Sequence, residues 1–274
     1  MSNDRPPIDE RFPAPSVMGV INVTPDSFSD GGVHLRVEAA VTAAWGMFDC
    51  GAAIVDIGGE STRPGSGGVT AEEELERIES VLLDLSGAPV SVDTSKAAVA
   101  RRALELGAEL VNDVTALRGD PELAGVVADA GCYLCLMHMQ GEPRTMQANP
   151  TYDDVVADVK HFLEQRLAFA VAEGVREELI CLDPGIGFGK TVAHNLELLR
   201  RLDELAAIGR PLLVGVSRKS TLGKLTGRPD AKTGSAAASV GGAVAAFDRG
   251  ATILRVHDVR EHVEALTVAK AVAG

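Results

Sequence analysis

Aromatic residues are scarce in this chain of 274 residues, at 4%, whereas glycine occurs 29 times. An interior with few large rings must be filled by smaller aliphatic side chains, which suits strands buried on both faces and closely packed helices. Hydrophobic residues still make up 46% of the chain, and this fraction excludes global disorder.

Cysteines and long apolar runs are also few. Four cysteines do not make a disulfide scaffold. Cys132 and Cys135 have a CxxC spacing but fall inside a predicted strand, where residues three apart point to opposite faces, so we expect neither zinc nor redox chemistry there. No uncharged apolar stretch reaches about 18 residues, so we expect no membrane-spanning segment. The proline-rich first 15 residues do not resemble a signal peptide, which leads us to expect a cytoplasmic location.

Positive charge is in deficit, because 26 Lys and Arg face 39 Asp and Glu, giving a formal net charge of −13. A phosphate backbone would be repelled over most of such a surface, so we expect no nucleic-acid partner. A small anionic substrate needs only a local basic pocket and stays possible.

Short apolar runs of strand length recur eight times after residue 15, and each is followed by a helical pattern. The predicted strands are Val17–Val23, Ala53–Ile57, Pro89–Val92, Leu110–Val114, Tyr133–Met137, Leu179–Leu182, Leu212–Val216 and Thr252–Val256. Nearly continuous apolar strands are typical of a parallel sheet covered on both faces. We therefore predict an α/β fold, a single-domain (β/α)8 TIM barrel over residues 16–274, preceded by an extended N-terminal arm over residues 1–15.

Polar residues follow each apolar run, at the end of the barrel where such folds place their sites. Carboxylates and amides there could bind a flat ring with many N–H donors, and cations from the last two strands could bind an anion. An Asp at a strand end is also often the N-cap of the next helix, the interpretation that we favour for Asp56, Asp113 and Asp258.

The glycine-rich segment 185–191, GIGFGKT, is similar to a phosphate-binding loop. A Walker A motif would need glycine at Pro184, and a dinucleotide fingerprint would need glycine at Lys190. We therefore predict a turn whose glycines bring the backbone close to a ligand.

Nine segments, in order along the chain, resemble the signatures of dihydropteroate synthases. They are MGVINVTPDSFSDGG (18–32), DIGGESTRPG (56–65), SVDTSK (91–96), VND (111–113), LMHMQG (136–141), TMQ (145–147), LDPGIGFGK (182–190), GVSRK (215–219) and RVHD (255–258). The resemblance implies that p-aminobenzoate displaces pyrophosphate from 6-hydroxymethyl-7,8-dihydropterin pyrophosphate, giving 7,8-dihydropteroate for folate synthesis. It also implies a dissociative displacement, small-molecule substrates as the partners, and a homodimer through the late helices.

The same resemblance implies four sets of site residues. The catalytic set is Asp93, Lys219, Arg255 and His257. The pterin set is Asp93, Asn112, Met137, Asp183, Phe188, Gly215, Lys219 and Arg255. The pyrophosphate set is Asn22, Thr62, Arg63, Arg255 and His257, with Asn22 also the ligand of a Mg²⁺ cofactor. The p-aminobenzoate set is Phe28, Thr62, Pro64, Phe188, Ser217 and Lys219, where sulfonamides should compete.

Two alternatives stay open at the level of sequence. A pterin-dependent methyltransferase would share the barrel and the pterin contacts. The residues of the anion end make sense only with a departing pyrophosphate, and they are Arg63, Lys219, Arg255 and His257. A catalytically silent pterin-binding paralogue would keep the fold without turnover.

Overall fold

The computed structural model describes residues 5–24, 33–61, 67–142, 144–227 and 233–274. Four residues predicted to bind substrate lie outside these described residues: Phe28, Thr62, Arg63 and Pro64.

Eight parallel strands close into a barrel in which each strand pairs with the next and the last pairs with the first. They are β1 (Ser16–Asn22), β2 (Ile54–Gly58), β3 (Val90–Asp93), β4 (Leu110–Asp113), β5 (Tyr133–Met137), β6 (Ile180–Asp183), β7 (Leu212–Val214) and β8 (Ala251–Val256). The predicted bounds differ from these by at most two residues, and the (β/α)8 barrel is confirmed.

Helices alternate with the strands and surround the barrel. Those in the described part of the chain are α1 (Ile8–Arg11), α2 (Val33–Asp49), α3 (Ala71–Asp84), α4 (Ala97–Glu105), α5 (Leu123–Ala130), α6 (Val155–Ala172), α7 (Val192–Arg200), α8 (Leu202–Ala206), α9 (Ser220–Leu225), α10 (Ala236–Phe247) and α11 (Val259–Ala273). A capping box starts α3, where the Thr70 hydroxyl accepts from the Glu73 N–H and the Glu73 carboxylate accepts from the Thr70 N–H. No helix in the described ranges is both long and apolar enough to cross a membrane.

Two apolar layers hold this architecture together. The larger layer fills the space between the strands and the helices, and small residues such as Ala100 and Ala243 let the helices approach closely. The smaller layer fills the barrel interior toward the N-terminal ends of the strands. Cys132 belongs to the first layer and Cys135 to the second, so their side chains do lie on opposite faces of the sheet.

The N-terminal segment closes the barrel at this end. The prediction of an extended arm is wrong for residues 8–11, which form the short helix α1. Ile8 and Phe12 are fully buried in the interior apolar layer, and the Phe12 ring meets the Tyr133 ring edge-on at 5.6 Å between centroids. Packing against the barrel, rather than local helix propensity, orders this turn.

Candidate active site

Alternation along the strands turns polar side chains into the barrel at its C-terminal end, because inward positions recur every second residue. On β2, Ile54 belongs to the interior apolar layer and Asp56 lies one inward position further along. On β6, Cys181 is followed in the same way by Asp183. Asn112, Met137, Gly215 and Arg255 stand two residues after Leu110, Cys135, Leu213 and Ile253 of the interior layer.

These positions surround one cavity at the C-terminal ends of the strands. The structure brings together all eight residues of the predicted pterin set there: Asp93, Asn112, Met137, Asp183, Phe188, Gly215, Lys219 and Arg255. Val114 and Ile186 complete its lining. Five of these ten lining residues are polar or charged, and polar groups that converge in a concave site are typical of small-molecule binding.

Asp56 organises the floor of this site, a role that the helix-cap interpretation missed. Its carboxylate accepts from the Ser91 hydroxyl at 2.6 Å, from Asn112 Nδ2 at 3.0 Å and from Arg255 Nε at 2.7 Å. The side chain is fully buried, so these partners are needed to offset its desolvation. Strand alternation from Ile54 was the signal that could have placed Asp56 inside the barrel.

Asp93 and Arg255 form the electrostatic centre of the cavity. Arg255 Nη2 lies 2.9 Å from Asp93 Oδ2, and Asp56 binds the same guanidinium. Burial raises the pKa of Asp93 to about 7, and the Asp56 carboxylate adds to this effect while Arg255 opposes it. The two carboxylates in turn raise the pKa of Arg255, whose side chain is 21% exposed, against the effect of its partial burial.

Lys219 and Asp183 face each other across the cavity. Burial lowers the pKa of Lys219 to about 8 against the attraction of Asp183. Burial likewise raises the pKa of Asp183, whose Oδ1 accepts a hydrogen bond from the Gly185 N–H at 2.7 Å. The Lys219 ammonium lies 4.1 Å from the centroid of the Phe188 ring, a cation–π distance.

Ser217 and His257 lie together at the ends of neighbouring strands. His257 Nδ1 is 3.1 Å from Ser217 Oγ, which also accepts from the His257 N–H at 3.2 Å. Burial, with the nearby Arg255, lowers the pKa of His257 to about 4. His257 is therefore neutral near pH 7 and offers a hydrogen bond rather than a charge.

Arg218 and Asp258 form an ion pair beside these two residues. Asp258 is the N-cap residue of α11, as predicted, but its side chain makes no cap hydrogen bond there and pairs with Arg218 instead.

Asn22 ends β1 beside Asp93. A Cβ added at Gly58 would lie 3.6 Å from Asn22 Oδ1 and 3.8 Å from Asp93 Cγ, so both oxygen-bearing side chains border the same glycine. Hard oxygen donors of this kind suit Mg²⁺, which keeps several ligands from water and phosphate. Among the described residues, no group of three or more His, Cys, Asp or Glu could hold a metal by itself.

Comparisons with known proteins agree with this geometry. The model of the pterin binding enzyme family matches residues 18–257. The dihydropteroate synthase of Neisseria meningitidis serogroup C is 49% identical over 259 residues, which cover 92% of this chain and 90% of that protein.

Solved structures give the same result. A Xanthomonas albilineans dihydropteroate synthase with 4-aminobenzoic acid is 47% identical, with a TM-score of 0.88 over 96% of this chain and 94% of the other. The enzyme from the same organism in complex with 7,8-dihydropteroate is 45% identical, with a TM-score of 0.85 over 96% and 95%.

The fold and the lined cavity thus define a transferase with a pterin-type site at the C-terminal end of a barrel. The sequence identity to the Neisseria meningitidis enzyme is 49% over about nine-tenths of both chains, and this similarity identifies one family within the class. The chain belongs to the dihydropteroate synthase family of pterin-binding enzymes.

Proposed function

We propose that this protein joins 6-hydroxymethyl-7,8-dihydropterin pyrophosphate to p-aminobenzoate, forming 7,8-dihydropteroate and pyrophosphate. The observation that carries the proposal is the gathering of Asp183, Asn112, Lys219 and Arg255 around a single cavity. The relatives with 4-aminobenzoic acid and with 7,8-dihydropteroate support both halves of the substrate pair.

Asp183 and Asn112 bind the aminopyrimidinone edge of the pterin. A carboxylate has lone pairs beyond the one that the Gly185 N–H uses, so Asp183 can accept two adjacent N–H donors in a fork. The Asp56 carboxylate fixes the amide plane of Asn112 by accepting from its Nδ2. Met137 and Phe188 add apolar contact, Gly215 leaves room for the ring, and the planar guanidinium of Arg255 covers a ring face.

Asp93 stabilises the charge that develops on the pterin. The bond between the methylene carbon and the bridging oxygen breaks, and its electron pair leaves with pyrophosphate. The cation that remains is conjugated with the dihydropterin ring, and a buried carboxylate stabilises it strongly because little water screens the charge. The arylamine nitrogen then attacks the methylene carbon and loses a proton, so no covalent enzyme intermediate is required.

Arg255 and a hydrogen bond from neutral His257 stabilise the departing pyrophosphate. The resemblance adds Arg63 and Thr62, which lie outside the described residues. Asn22 would hold Mg²⁺ together with phosphate oxygens and water, as carboxamide and carboxylate oxygens beside Gly58 allow. When bound, the ion supplies counter-charge to the leaving group.

The arylamine contacts Phe188, Ser217 and Lys219. The resemblance adds Phe28, Thr62 and Pro64 to this set, and these three lie outside the described residues. The Ser217 hydroxyl, already oriented by His257, donates to the carboxylate of p-aminobenzoate. Sulfonamides mimic the arylamine and compete for this pocket.

A homodimer through α10 and α11 accompanies this activity. Small residues line α10 over Ala236–Phe247, which lets another helix pack closely. Val268 and Val272 on α11 are 63% and 82% exposed in the single chain, an apolar surface that a second copy would cover. Sedimentation equilibrium tests this, and a monomer at micromolar concentration would contradict it.

A pyrophosphate-release assay tests the proposed reaction. Release is expected only when both substrates are present, and a chelator is expected to suppress it until Mg²⁺ is restored. Binding of the pterin without any turnover would instead identify a silent paralogue, and full activity in chelator would contradict the metal proposal.

A further inference from the structure

The glycine-rich segment 185–189 between β6 and α7 forms one wall of the cavity through Ile186 and Phe188. Gly185 and Gly189 have positive φ angles, of 66° and 63°. A Cβ at Gly185 would lie 1.8 Å from the His138 carbonyl oxygen, and one at Gly189 would lie 2.5 Å from that of Gln140. These two glycines therefore let the segment pack closely against the residues that follow β5. The close backbone contact predicted with a ligand is made here with another part of the protein.

The carbonyl groups of this segment accept hydrogen bonds from side chains away from the cavity. Gln147 Nε2 donates to Gly187 O at 2.5 Å, and the Tyr152 hydroxyl donates to Gly189 O at 2.7 Å. The carbonyls of Gly185 and Phe188 both accept from Lys190 Nζ, at 2.9 Å and 3.0 Å. Gly185 and Phe188 are the two ends of a turn closed by the hydrogen bond from the Phe188 N–H to the Gly185 carbonyl, so Lys190 binds both ends of this turn.

Lys190 also connects the segment to β5. Its Nζ lies 2.9 Å from His138 Nδ1. Burial lowers the pKa of His138 to about 2, so the ring is neutral and Nδ1 can accept a hydrogen bond from the lysine. Nζ thus has three acceptors for the three N–H donors of its ammonium form. The side chain is only 3% exposed, and this burial lowers the pKa of Lys190 to about 7.

Lys190 does not line the cavity, so it acts on the substrates through its neighbours. The carbonyls that it binds flank Ile186 and belong to the same turn as Phe188, whose ring lies against the Lys219 ammonium. The N–H of Gly185, in turn, orients the Asp183 carboxylate.

We propose that Lys190 is a positioning residue that fixes Phe188 and Asp183 for pterin binding by tying their loop to His138. The inference rests on the proposed roles of Phe188 and Asp183 in the pterin site. A displacement of about 1 Å at such groups can cost on the order of 100-fold in rate.

Lys190→Met tests the proposal because methionine keeps most of the side-chain length and removes all three donors. The KM for the pterin pyrophosphate is expected to rise roughly 10- to 100-fold, with a smaller change in kcat. Titration calorimetry with 7,8-dihydropteroate should show weaker binding of similar size. Lys270→Met, at an exposed position of α11, is the matched control and should leave both measurements unchanged.

Lys190→Gln is the conservative variant, because its amide keeps two of the three donors. The expected order of pterin KM is wild type, then Gln, then Met. A merely structural role would lower the melting temperature and the amount of folded enzyme while leaving KM the same in every folded variant, and that result would overturn the proposal. If the Met variant does not fold, an unchanged pterin KM in the Gln variant has the same force.

Failure of the positioning role can be distinguished from failure of the proposed reaction. Wild-type enzyme that releases no pyrophosphate from the two substrates would refute the reaction, whereas active wild type with unaltered Lys190 variants would refute only the positioning role.

Discussion

The two ends of the barrel are built from the same strands but have opposite chemistry. Toward the N-terminal end, the inward residues are apolar and α1 closes the opening with Ile8 and Phe12. At the C-terminal end, two residues further along the same strands, the inward side chains include Asp56, Asp183 and Arg255. At one end the inward side chains are apolar and buried, while at the other end buried charges line a cavity.

This difference separates stability from function along a single strand. Burying apolar side chains at the closed end stabilises the fold. Holding charges in a low-dielectric site contributes little to stability, because the desolvation of each charge offsets its attraction to the next. The apolar end therefore stabilises the fold that holds the polar end in place. Substitutions at the apolar end should change the free energy of unfolding, and substitutions at the polar end should change the kinetic constants.

Phe12→Ala at the closed end is expected to have the largest effect. It removes a fully buried ring and leaves a cavity, which typically costs about 3–5 kcal/mol of the free energy of unfolding. Urea denaturation measures the loss. Phe169→Ala on α6 is the control, because that ring is 37% exposed and should cost much less. A rise in pterin KM in folded Phe12→Ala would break the separation of the two ends.

Asp183→Asn at the open end is expected to have the opposite signature. The amide oxygen can still accept from Gly185, but the charged acceptor for the pterin N–H groups is lost. A charge-assisted hydrogen bond contributes about 1.5–3 kcal/mol, so loss of one of the two should lower kcat/KM for the pterin substrate roughly 10- to 150-fold.

The melting temperature of the Asp183→Asn variant should stay the same or rise, since a buried carboxylate is removed. Asp153→Asn, at an exposed position, is the matched control. Loss of stability without loss of pterin binding would reverse the assignment of this residue.

Strand alternation explains how much of this contrast could be predicted from the sequence. Nearly continuous apolar runs identified all eight strands, and the change to polar residues at their ends identified Asn112, Asp183 and Arg255 as neighbours in space. Strand alternation also places Asp56 inside the barrel, two residues after Ile54. The prediction missed this position because it favoured a helix cap for Asp56.

Contacts between distant segments account for the rest. Lys190 and His138 are 52 positions apart, so no local pattern links them. The turn of α1 contains few residues and is flanked by prolines, and it forms because Ile8 and Phe12 fit the closed end of the barrel. Tertiary packing decides both features, and a single sequence carries no direct signal of it.

The pH dependence of kcat/KM is expected to report the open end alone. Asp93, with a pKa of about 7, is a carboxylate only above that pH, and Lys219, with a pKa of about 8, is a cation only below it. Activity should therefore rise with pH through about 7 and fall through about 8, approaching a tenfold change per unit at each extreme. These apparent values belong to the coupled site as a whole.

The Asp93→Asn variant distinguishes ionisation of the enzyme from ionisation of the substrate in this pH profile. The residual activity of the variant should lack the acidic limb, while any limb that comes from ionisation of the pyrophosphate stays. An acidic limb at the same pH in wild type and variant would show that Asp93 does not titrate in the reaction.

A matched pair of tyrosine substitutions gives the smallest and sharpest comparison of the two ends. The Tyr133 hydroxyl donates to Pro6 O at 3.0 Å at the closed end, and the Tyr152 hydroxyl donates to Gly189 O at 2.7 Å at the open end. Each Tyr→Phe change deletes one such hydrogen bond, worth about 0.5–1.5 kcal/mol. Tyr133→Phe should lower the urea midpoint slightly and leave the kinetics alone.

Tyr152→Phe should instead raise the pterin KM by about two- to twelvefold, because the same free energy is lost from the segment that carries Phe188. Steady-state kinetics and urea denaturation on both variants decide the matter. Equal changes in KM from the two variants would mean that both ends of the barrel affect pterin binding. The two ends would then differ in their residues but not in their function.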